Sequence, residues 1–289
     1  MQEFDFFRPD SLGELVKILD ETGGQVVAGG TDVIPRMRRN LFSASILVDA
    51  SNVTELGFIE EKDDQIVIGA MTTHQEIADS ALIRSANPAL AAAAASVGCH
   101  QTRHRGTLGG NLANASPAAD TVPALLAFDA QIWLLRKDGG RSMPLGEFLV
   151  GPGKTKLVPR ELIHSVTFSR LSGSWGTAYQ KLGKRNGMAI SVVGVAAAVV
   201  LDPAGVVRDA RVALGSVAPT VVRSAGAEKM LIGREASPRA VQDAADAVIA
   251  DISPISDVRS TAEYRRHAAR ILTRRVLLQA IEQAQGRLA

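Results

Sequence analysis

The stretch RGTLGGNLANASPAAD, from Arg105 to Asp120, holds two adjacent glycines, two asparagines and a late carboxylate, with almost no large apolar side chain after Leu112. Glycine lets the backbone adopt positive φ and approach another group closely. A segment so poor in core-forming residues, set in the middle of the chain, is either a surface loop or a cradle for a ligand. As an isolated motif it favours a tight turn, because short glycine motifs are weak signals.

A second glycine-rich segment, AGGTD from Ala28 to Asp32, precedes TLGGN (Thr107 to Asn111) by some eighty residues. Backbone N–H groups in such segments can surround an anionic group without the help of a lysine. Thr31, Thr107 and Asn111 add side-chain donors. Each segment on its own is also explained as a strand-to-helix turn, so the pair rather than either member indicates a pyrophosphate site.

The composition narrows the class of protein. The 289 residues predict two domains, and a hydrophobic fraction of 46% is enough for proper cores. A net charge of +2 gives no basic surface for nucleic acid, and the low-charge runs are too short to span a bilayer. Cys99 is the only cysteine, which excludes internal disulfides and an iron–sulfur cluster held by this chain alone. The N-terminal residues show no signal-peptide pattern, so we expect a cytoplasmic protein.

Other chemical motifs are missing from the sequence. No G-x-G-x-x-G and no G-x-S-x-G segment occurs, so a Rossmann dinucleotide site and a serine nucleophile have no support. Gly153-Lys154-Thr155 resembles the end of a P-loop, but Phe148 occupies the position of the first glycine, and we predict a turn there. The histidines do not pair at metal-ligand spacing with carboxylates or with Cys99, so we predict no bound metal.

The pattern of apolar residues predicts an α+β arrangement, in which strands that pair in sequence are followed by a run of helices. Ser11, Thr73 and the pair Asn87-Pro88 are expected to begin helices, and Asp32 to begin a short turn that ends near Arg39. Strands are predicted at 3–7, 25–28, 46–49, 65–69, 131–136, 141–143, 162–168, 175–182, 192–201 and 206–217, and further helices at 121–128, 224–233, 238–250 and 261–286.

Several segments in order carry a resemblance to a known family. They are FRPDSLGELVKIL, VVAGGTDVIPRMR, IGAMTTHQEIA, QTRHRGTLGGNLANASPAADTVPALLAFDA, FLVGPGKTKLVPRELIHSV, YQKLGKRNGMAISVVGVAAAV and the helix around Glu263-Tyr264-Arg265. In this order and spacing the chain resembles, over essentially its whole length, the FAD-binding medium subunit of the molybdenum hydroxylases, the family of xanthine dehydrogenase and carbon monoxide dehydrogenase.

The resemblance implies a fold and a division of the chain. A two-lobed FAD-binding domain of the vanillyl-alcohol-oxidase (PCMH) type would cover residues 1–171, with lobes of about 1–57 and 58–171. A smaller C-terminal domain, with a three-stranded antiparallel sheet and helices, would cover residues 172–289. The small polar stretch Leu171-Ser172-Gly173-Ser174 fits a junction between the two.

The resemblance also implies which residues contact FAD. The two glycine segments would enclose the pyrophosphate, the Asp120 carboxylate would accept a hydrogen bond from a ribityl hydroxyl, and two apolar residues would pack on the cofactor. Asp120 would alternatively, or in addition, cap the following helix. The residues expected at the cofactor are Val26, Val27, Ala28, Gly29, Gly30, Thr31, Asp32, Val33, Val97, Thr107, Leu108, Gly109, Gly110, Asn111, Asp120, Ile163 and Lys181.

Lys181 has two interpretations. It matches a lysine that some members of the family place near the flavin pyrimidine edge, where a cation would stabilise the reduced ring. It is equally explained as a solvated strand lysine. Arg103, His104 and Arg105 are expected in a polar loop, and Arg185 at the flavin edge or a subunit interface.

The function that the resemblance implies is electron transfer. Electrons would come from a molybdenum–pterin centre on a large subunit, through two-iron two-sulfur clusters on a small subunit, to FAD on this chain. An external acceptor (NAD, a quinone, another carrier or oxygen) would then oxidise the flavin. A dimer of heterotrimers is the expected assembly. The alternatives are a self-contained FAD-dependent oxidase or dehydrogenase of the same fold, and a scaffold that has lost flavin.

Overall fold

The computed structural model describes residues 3–288. The predicted domains begin at Met1 and end at Ala289, and these two residues and Gln2 lie outside the described residues. The first lobe is a parallel sheet of three strands in the order β1-β3-β2, with helices beside it. Ser11 caps the first helix by accepting a hydrogen bond from the Glu14 N–H, as its spacing predicts. Leu15 and Leu19 of that helix pack on Val48. The elements are β1 (Asp5–Phe7), α1 (Leu12–Thr22), β2 (Gln25–Val27), α2 (Val33–Arg38) and β3 (Ile46–Asp49), followed by 3-10 helices Ala50–Asn52 and Thr54–Leu56.

The second lobe is an antiparallel sheet of five strands in the order β4-β5-β10-β6-β7, covered by short helices. The strands are β4 (Ile59–Lys62), β5 (Gln65–Gly69), β6 (Gln131–Arg136), β7 (Gly139–Pro144) and β10 (Leu162–Ser169), and β8 (Leu149–Gly151) pairs with β9 (Lys154–Thr155) in a separate hairpin. The helices are α3 (His74–Asp79), α4 (Ala81–Ala86), α5 (Pro88–Ala95), α6 (His100–Arg103), α7 (Leu108–Asn114), α8 (Thr121–Leu126) and α9 (Leu145–Phe148).

The C-terminal section is an antiparallel sheet with helices on one face. All nine residues of its second strand are buried, because both faces of the sheet are covered. The last helix packs on one face, and α5 and α8 of the second lobe contact the other. The elements are β11 (Ser174–Leu182), β12 (Val193–Leu201), β13 (Val207–Gly215), β14 (Val222–Arg223), α10 (Ala225–Leu231), α11 (Pro238–Ala247), the 3-10 helix Val248–Asp251 and α12 (Ala262–Gln285).

The fold differs from the sequence predictions in some details. The Thr107–Asn111 segment is not a loop but the N-cap and first turn of α7, whose cap is the Thr107 hydroxyl. The C-terminal sheet has a fourth strand, β14, of two residues. The segment around Gly153, which has a φ of +68°, is the turn of the β8–β9 hairpin, as predicted. Among the described residues, no helix is both long and apolar enough to cross a membrane.

Candidate functional site

The two glycine segments are in direct contact. A Cβ on Gly29 would lie 1.6 Å from the Arg105 carbonyl oxygen, so the backbones of the two segments touch and only glycine fits there. A Cβ on Gly110 would lie 3.8 Å from the Ala28 Cβ. Segments some eighty residues apart therefore form one continuous surface between the two lobes.

The first segment presents a row of unpaired backbone donors. Within residues 3–288, the N–H groups of the four residues from Gly29 to Asp32 donate no hydrogen bond to the protein. Gly30 has a φ of +71°, in the left-handed region that favours glycine. Successive free N–H groups in such a turn form a concave site for an anion, which fits a pyrophosphate.

The second segment differs, because its backbone donors from Leu108 to Asn111 are already paired. The N–H of Gly109 donates to the Ala70 carbonyl (2.8 Å), and that of Gly110 donates to the Thr107 hydroxyl (3.1 Å). A Cβ on Gly109 would lie 2.7 Å from the Ala70 Cβ, so this glycine lets α7 approach β5 closely. The Asn111 side-chain oxygen accepts a hydrogen bond from the Thr121 hydroxyl at 2.9 Å. The remaining donors of this segment are the Thr107 N–H and hydroxyl and the Asn111 side-chain amide.

An apolar cavity of about 380 Å³ opens beside both segments. This volume lies within the range of roughly 300–1,000 Å³ that is usual for small-molecule sites. Val26, Ala28 and Ile163, all predicted to contact the cofactor, line it together with Gly109 and Gly110. A larger, more polar depression of about 510 Å³, around Trp133 and Arg170, contains none of the predicted residues.

Asp120 lies at the centre of a buried polar cluster. Its carboxylate accepts hydrogen bonds from Lys181 Nζ (2.6 Å), the Tyr179 hydroxyl (3.1 Å) and Ser191 Oγ (2.5 Å). Asp120 is only 9% exposed. The carboxylate makes no capping hydrogen bond to α8, so the alternative that it caps the helix is wrong. Three donors from the C-terminal section occupy it instead.

Lys181 is held in place rather than solvated. Its ammonium group forms the ion pair with Asp120 and donates to the Ser96 carbonyl at 3.1 Å, and its side chain is 11% exposed. The interpretation as a solvated strand lysine is therefore wrong. Burial, together with the negative charge of Asp120, raises the pKa of Tyr179, so this phenol stays protonated and donates to the carboxylate. Val97, another predicted contact, immediately follows Ser96 at the end of α5.

The predicted residues follow one another along a single path. The apolar cavity at Ile163 borders the glycine segments, Asn111 contacts Thr121, and Asp120 connects to Lys181 beside Val97. These contacts connect an apolar slot, a row of donors, a buried carboxylate and a cation, which are the kinds of group that an adenine ring, a pyrophosphate, a ribityl chain and a flavin ring require. The residues present thus fit FAD.

Some predicted residues face the core instead of this path. Val27 packs with Met37 and Leu47, and Val33 adjoins the same cluster. Leu108 is fully buried in the core of the second lobe, so these three residues reach the path only through their backbone. Other predicted residues lie on the surface. Asp32 pairs with Arg36, and the Arg185 guanidinium donates to the Met188 carbonyl. Arg103 lies in α6 and donates to Gln75, and the exposed His104 and Arg105 follow that helix.

His74 lies beneath the second glycine segment. Its backbone N–H donates to the Gly106 carbonyl at 2.9 Å, and its buried Nδ1 has no partner among the described residues. Burial, with a smaller contribution from the positive charge of Arg103, lowers the pKa of His74 to about 4. The ring is therefore neutral at pH 7.

Two partners of Asp120, Tyr179 and Ser191, were not predicted from the sequence. Tyr179 and Lys181 are two residues apart on β11, so their side chains leave the same face of the strand. Because Lys181 was expected at the cofactor, this spacing could have placed Tyr179 near the same site. Ser191 lies in the segment before β12, and no local pattern marks it.

Comparisons with known proteins agree with this fold. Residues 2–169 match the FAD binding domain in molybdopterin dehydrogenase, and residues 177–280 match the CO dehydrogenase flavoprotein C-terminal domain. The 6-hydroxypseudooxynicotine dehydrogenase complex subunit alpha of Paenarthrobacter nicotinovorans is 33% identical over 98% of this chain and 96% of its own. The carbon monoxide dehydrogenase medium chain of Hydrogenophaga pseudoflava is 33% identical over 95% of this chain and 96% of its own.

A solved structure is similar over the whole fold. Carbon monoxide dehydrogenase from Hydrogenophaga pseudoflava, in a form that lacks the Mo-pyranopterin moiety of the molybdenum cofactor, superposes with a TM-score of 0.93 and 32% identity. The match covers 98% of each chain. Fold and site together define an FAD-binding flavoprotein of the PCMH type. The chain belongs to the family of FAD-binding medium subunits of the molybdenum hydroxylases. The predictions of the α+β fold class, of FAD and of an oxidoreductase subunit are confirmed.

Proposed function

We propose that FAD binds along the path from Ile163 to Lys181. The adenine ring would enter the apolar cavity, the pyrophosphate would accept hydrogen bonds from the N–H groups of Gly29 to Asp32, and Asp120 would accept one from a ribityl hydroxyl. The observation that carries this assignment is the row of free N–H groups against the second glycine segment, whose Asn111 contacts Thr121, the neighbour of the buried Asp120. Val97 and Lys181 would then border the flavin ring.

Bound FAD would supply two-electron redox chemistry between a partner subunit and an external acceptor. This chain would bind and orient the cofactor, and its Lys181–Asp120 pair would set the local charge. The electrons would come from a large molybdenum–pterin subunit through a small iron–sulfur subunit, since Cys99 alone cannot hold a cluster. NAD, a quinone, another carrier or oxygen would accept them. We further propose a dimer of heterotrimers located in the cytoplasm.

We also retain the division of the chain into domains 1–171 and 172–289, with lobes of about 1–57 and 58–171. The two family matches end at 169 and begin at 177, which supports a junction between them. The parallel sheet with α1 and α2 and the five-stranded antiparallel sheet support two lobes.

The test of the FAD assignment is the substitution Asp120→Asn. The neutral amide loses a charge-assisted hydrogen bond to a ribityl hydroxyl, worth roughly 1.5–3 kcal/mol, so the dissociation constant for FAD should rise at least about tenfold. Flavin fluorescence after removal and re-addition of FAD gives this constant. Asp138→Asn, in an exposed turn, is the matched control and should bind FAD as the unmodified chain does. Equal affinity for Asp120→Asn and the control would contradict the assignment.

A separate measurement tests the place of the chain in a complex. Purified from its natural source, the chain should co-purify with molybdenum and iron at a fixed ratio to flavin. A self-contained FAD-dependent oxidase would instead turn over its substrate with flavin alone. A chain that purifies with flavin, without either metal, and with oxidase activity would support that alternative.

A further inference from the structure

Two exposed histidines face each other just before the second glycine segment. His100 begins α6, and His104 follows its last residue, one helical turn later. Their Nε2 atoms are 3.1 Å apart, and their ring planes meet at 74°. The histidines of this pair lie beside each other rather than beside a carboxylate or the Cys99 thiol, which were the pairings expected of a metal site.

We propose that His100 and His104 form a binding site for a divalent transition-metal ion, independent of the FAD site. Metal–nitrogen bonds of about 2.0–2.1 Å to two nitrogens 3.1 Å apart enclose an angle of about 100° at the metal. This angle lies between the right angle of square-planar or octahedral coordination and the tetrahedral angle. Imidazole nitrogens are ligands that Cu²⁺, Ni²⁺ and Zn²⁺ accept readily.

Within the described part of the chain, no third side chain is placed to join the two imidazoles as a ligand. Arg103 Nε donates to the Gln75 side chain at 2.9 Å, and the Cys99 sulfur lies 3.4 Å from the Thr102 hydroxyl. Among residues 3–288, no group of three or more histidine, cysteine or acidic side chains is placed to hold a metal ion. The other coordination positions therefore belong to water, and the ion exchanges readily.

The metal competes with a simpler interaction. Without an ion, one Nε2–H can donate to the other Nε2, which explains the 3.1 Å distance equally well. When an ion binds, the imidazole that carried the Nε2–H takes the Nδ1–H tautomer, so both Nε2 lone pairs are free to bind the ion. By the usual order of affinities, Cu²⁺ should bind more tightly than Ni²⁺ or Zn²⁺. Binding, rather than the distance, therefore distinguishes the two explanations.

The test is Cu²⁺ titration of the full chain without an affinity tag, followed by calorimetry and electron paramagnetic resonance. We expect one tight equivalent whose spectrum shows nitrogen ligands. His100→Gln and His104→Gln should each weaken it roughly tenfold or more, since either change removes the chelate, and the double variant should bind no better than the weaker single variant. His267→Gln is the matched control, because His267 is exposed on α12 and stands alone, and it should bind as the unmodified chain does.

Unchanged Cu²⁺ affinity in both single variants would overturn the proposal, since the tight ion would then lie elsewhere. A measurement on the unmodified chain adds independent support. Cu²⁺ should protect His100 and His104, but not His267, from acylation by diethyl pyrocarbonate, as mapped by mass spectrometry. Equal modification of all three histidines with and without Cu²⁺ would exclude the site even if a variant failed to fold.

Discussion

At the scale of single residues, the Asp120 carboxylate is the point where the C-terminal section meets the proposed cofactor path. Three side chains from beyond residue 171 donate to it, and one of them brings a positive charge. A buried ion pair is costly to break, because removing one partner leaves an uncompensated charge. The Lys181–Asp120 pair is also close to neutral overall, so either substitution changes the net charge of the site by one unit.

Lys181→Met should lower the reduction potential of the bound flavin. The substitution leaves the Asp120 charge unbalanced, and an added negative charge disfavours the reduced, electron-rich ring. We expect a fall of roughly 30 mV, which corresponds to about tenfold for a two-electron couple. Potentiometric titration of the flavin absorption in the complex measures it. Lys184→Met, at an exposed lysine three residues away, serves as the control. If the reduction potential of Lys181→Met equals that of the unmodified chain, Lys181 does not lie near the flavin.

His74 should make the stability of the chain depend on pH. Its pKa is about 4 in the folded chain against 6.5 as the ordinary value, so the unfolded chain binds a proton first as the pH falls. This contribution is fully present above about pH 6.5 and is lost progressively between pH 6.5 and 4. By pH 5 about 2 kcal/mol of this contribution has been lost.

Urea denaturation at pH 7 and pH 5 tests the prediction, with His74→Leu as the comparison. The free energy of unfolding should fall by about 2 kcal/mol more in the unmodified chain than in His74→Leu, because the other titrating groups are common to both. An equal fall in the two proteins would mean that His74 titrates normally in the folded chain.

Single residues also show why the site was only partly predictable. The glycine segments and Asp120 stand out in the sequence because their composition is unusual for a folded core. The partners of Asp120 lie 59 to 71 residues further along the chain, and only the fold brings them together. The pairing of backbone donors in the second glycine segment likewise depends on Ala70 and Thr72, which no local pattern connects to it.

At the scale of elements, α7 depends on tertiary contacts rather than on its own helix propensity. Two glycines in its first turn disfavour a helix, which is why the segment reads as a loop. The Thr107 cap and the close approach of Gly109 to Ala70 stabilise the helix despite this low propensity. Helices α1, α3 and α5 were predictable, since their caps at Ser11, Thr73 and Asn87 are local signals. Strand β14 has two residues and is too short to carry any pattern.

Gly29→Ala should separate the two glycine segments. The new Cβ would meet the Arg105 carbonyl at 1.6 Å, so the backbones must move apart, at a cost of about 3 kcal/mol in the free energy of unfolding and with loss of bound FAD. Gly13→Ala is the matched control, since nothing lies within 4 Å of its Cβ position in α1. It should raise stability by up to about 1 kcal/mol and keep FAD. Urea denaturation and the flavin content after gel filtration measure both effects.

At the scale of the whole molecule, the two sections share a hydrophobic core. Tyr179, Ala196 and Ala198 of the C-terminal sheet belong to the same buried cluster as α5 and the sheet of the second lobe. The alternate residues of β12, such as Val195 and Val199, pack with α12 on the other side. Small side chains on both α5 and β12 permit this close packing. Either section alone would therefore expose apolar residues that the other section now buries.

The shared core predicts that both sections unfold together, although a chain of this size with two domains often unfolds in steps. The two tryptophans report on them separately: Trp133 lies on β6 of the second lobe, and Trp175 on β11 of the C-terminal sheet. In Trp133→Phe and Trp175→Phe variants, the fluorescence of the remaining tryptophan should follow urea unfolding with midpoints that coincide with each other and with circular dichroism. Circular dichroism of each variant also corrects for any stability change caused by the substitution itself. After this correction, separate transitions for Trp175 and Trp133 would contradict the prediction. The contacts of α5 and α8 with the C-terminal sheet would then contribute little to its stability, and the junction near residue 171 would divide two independently folding units.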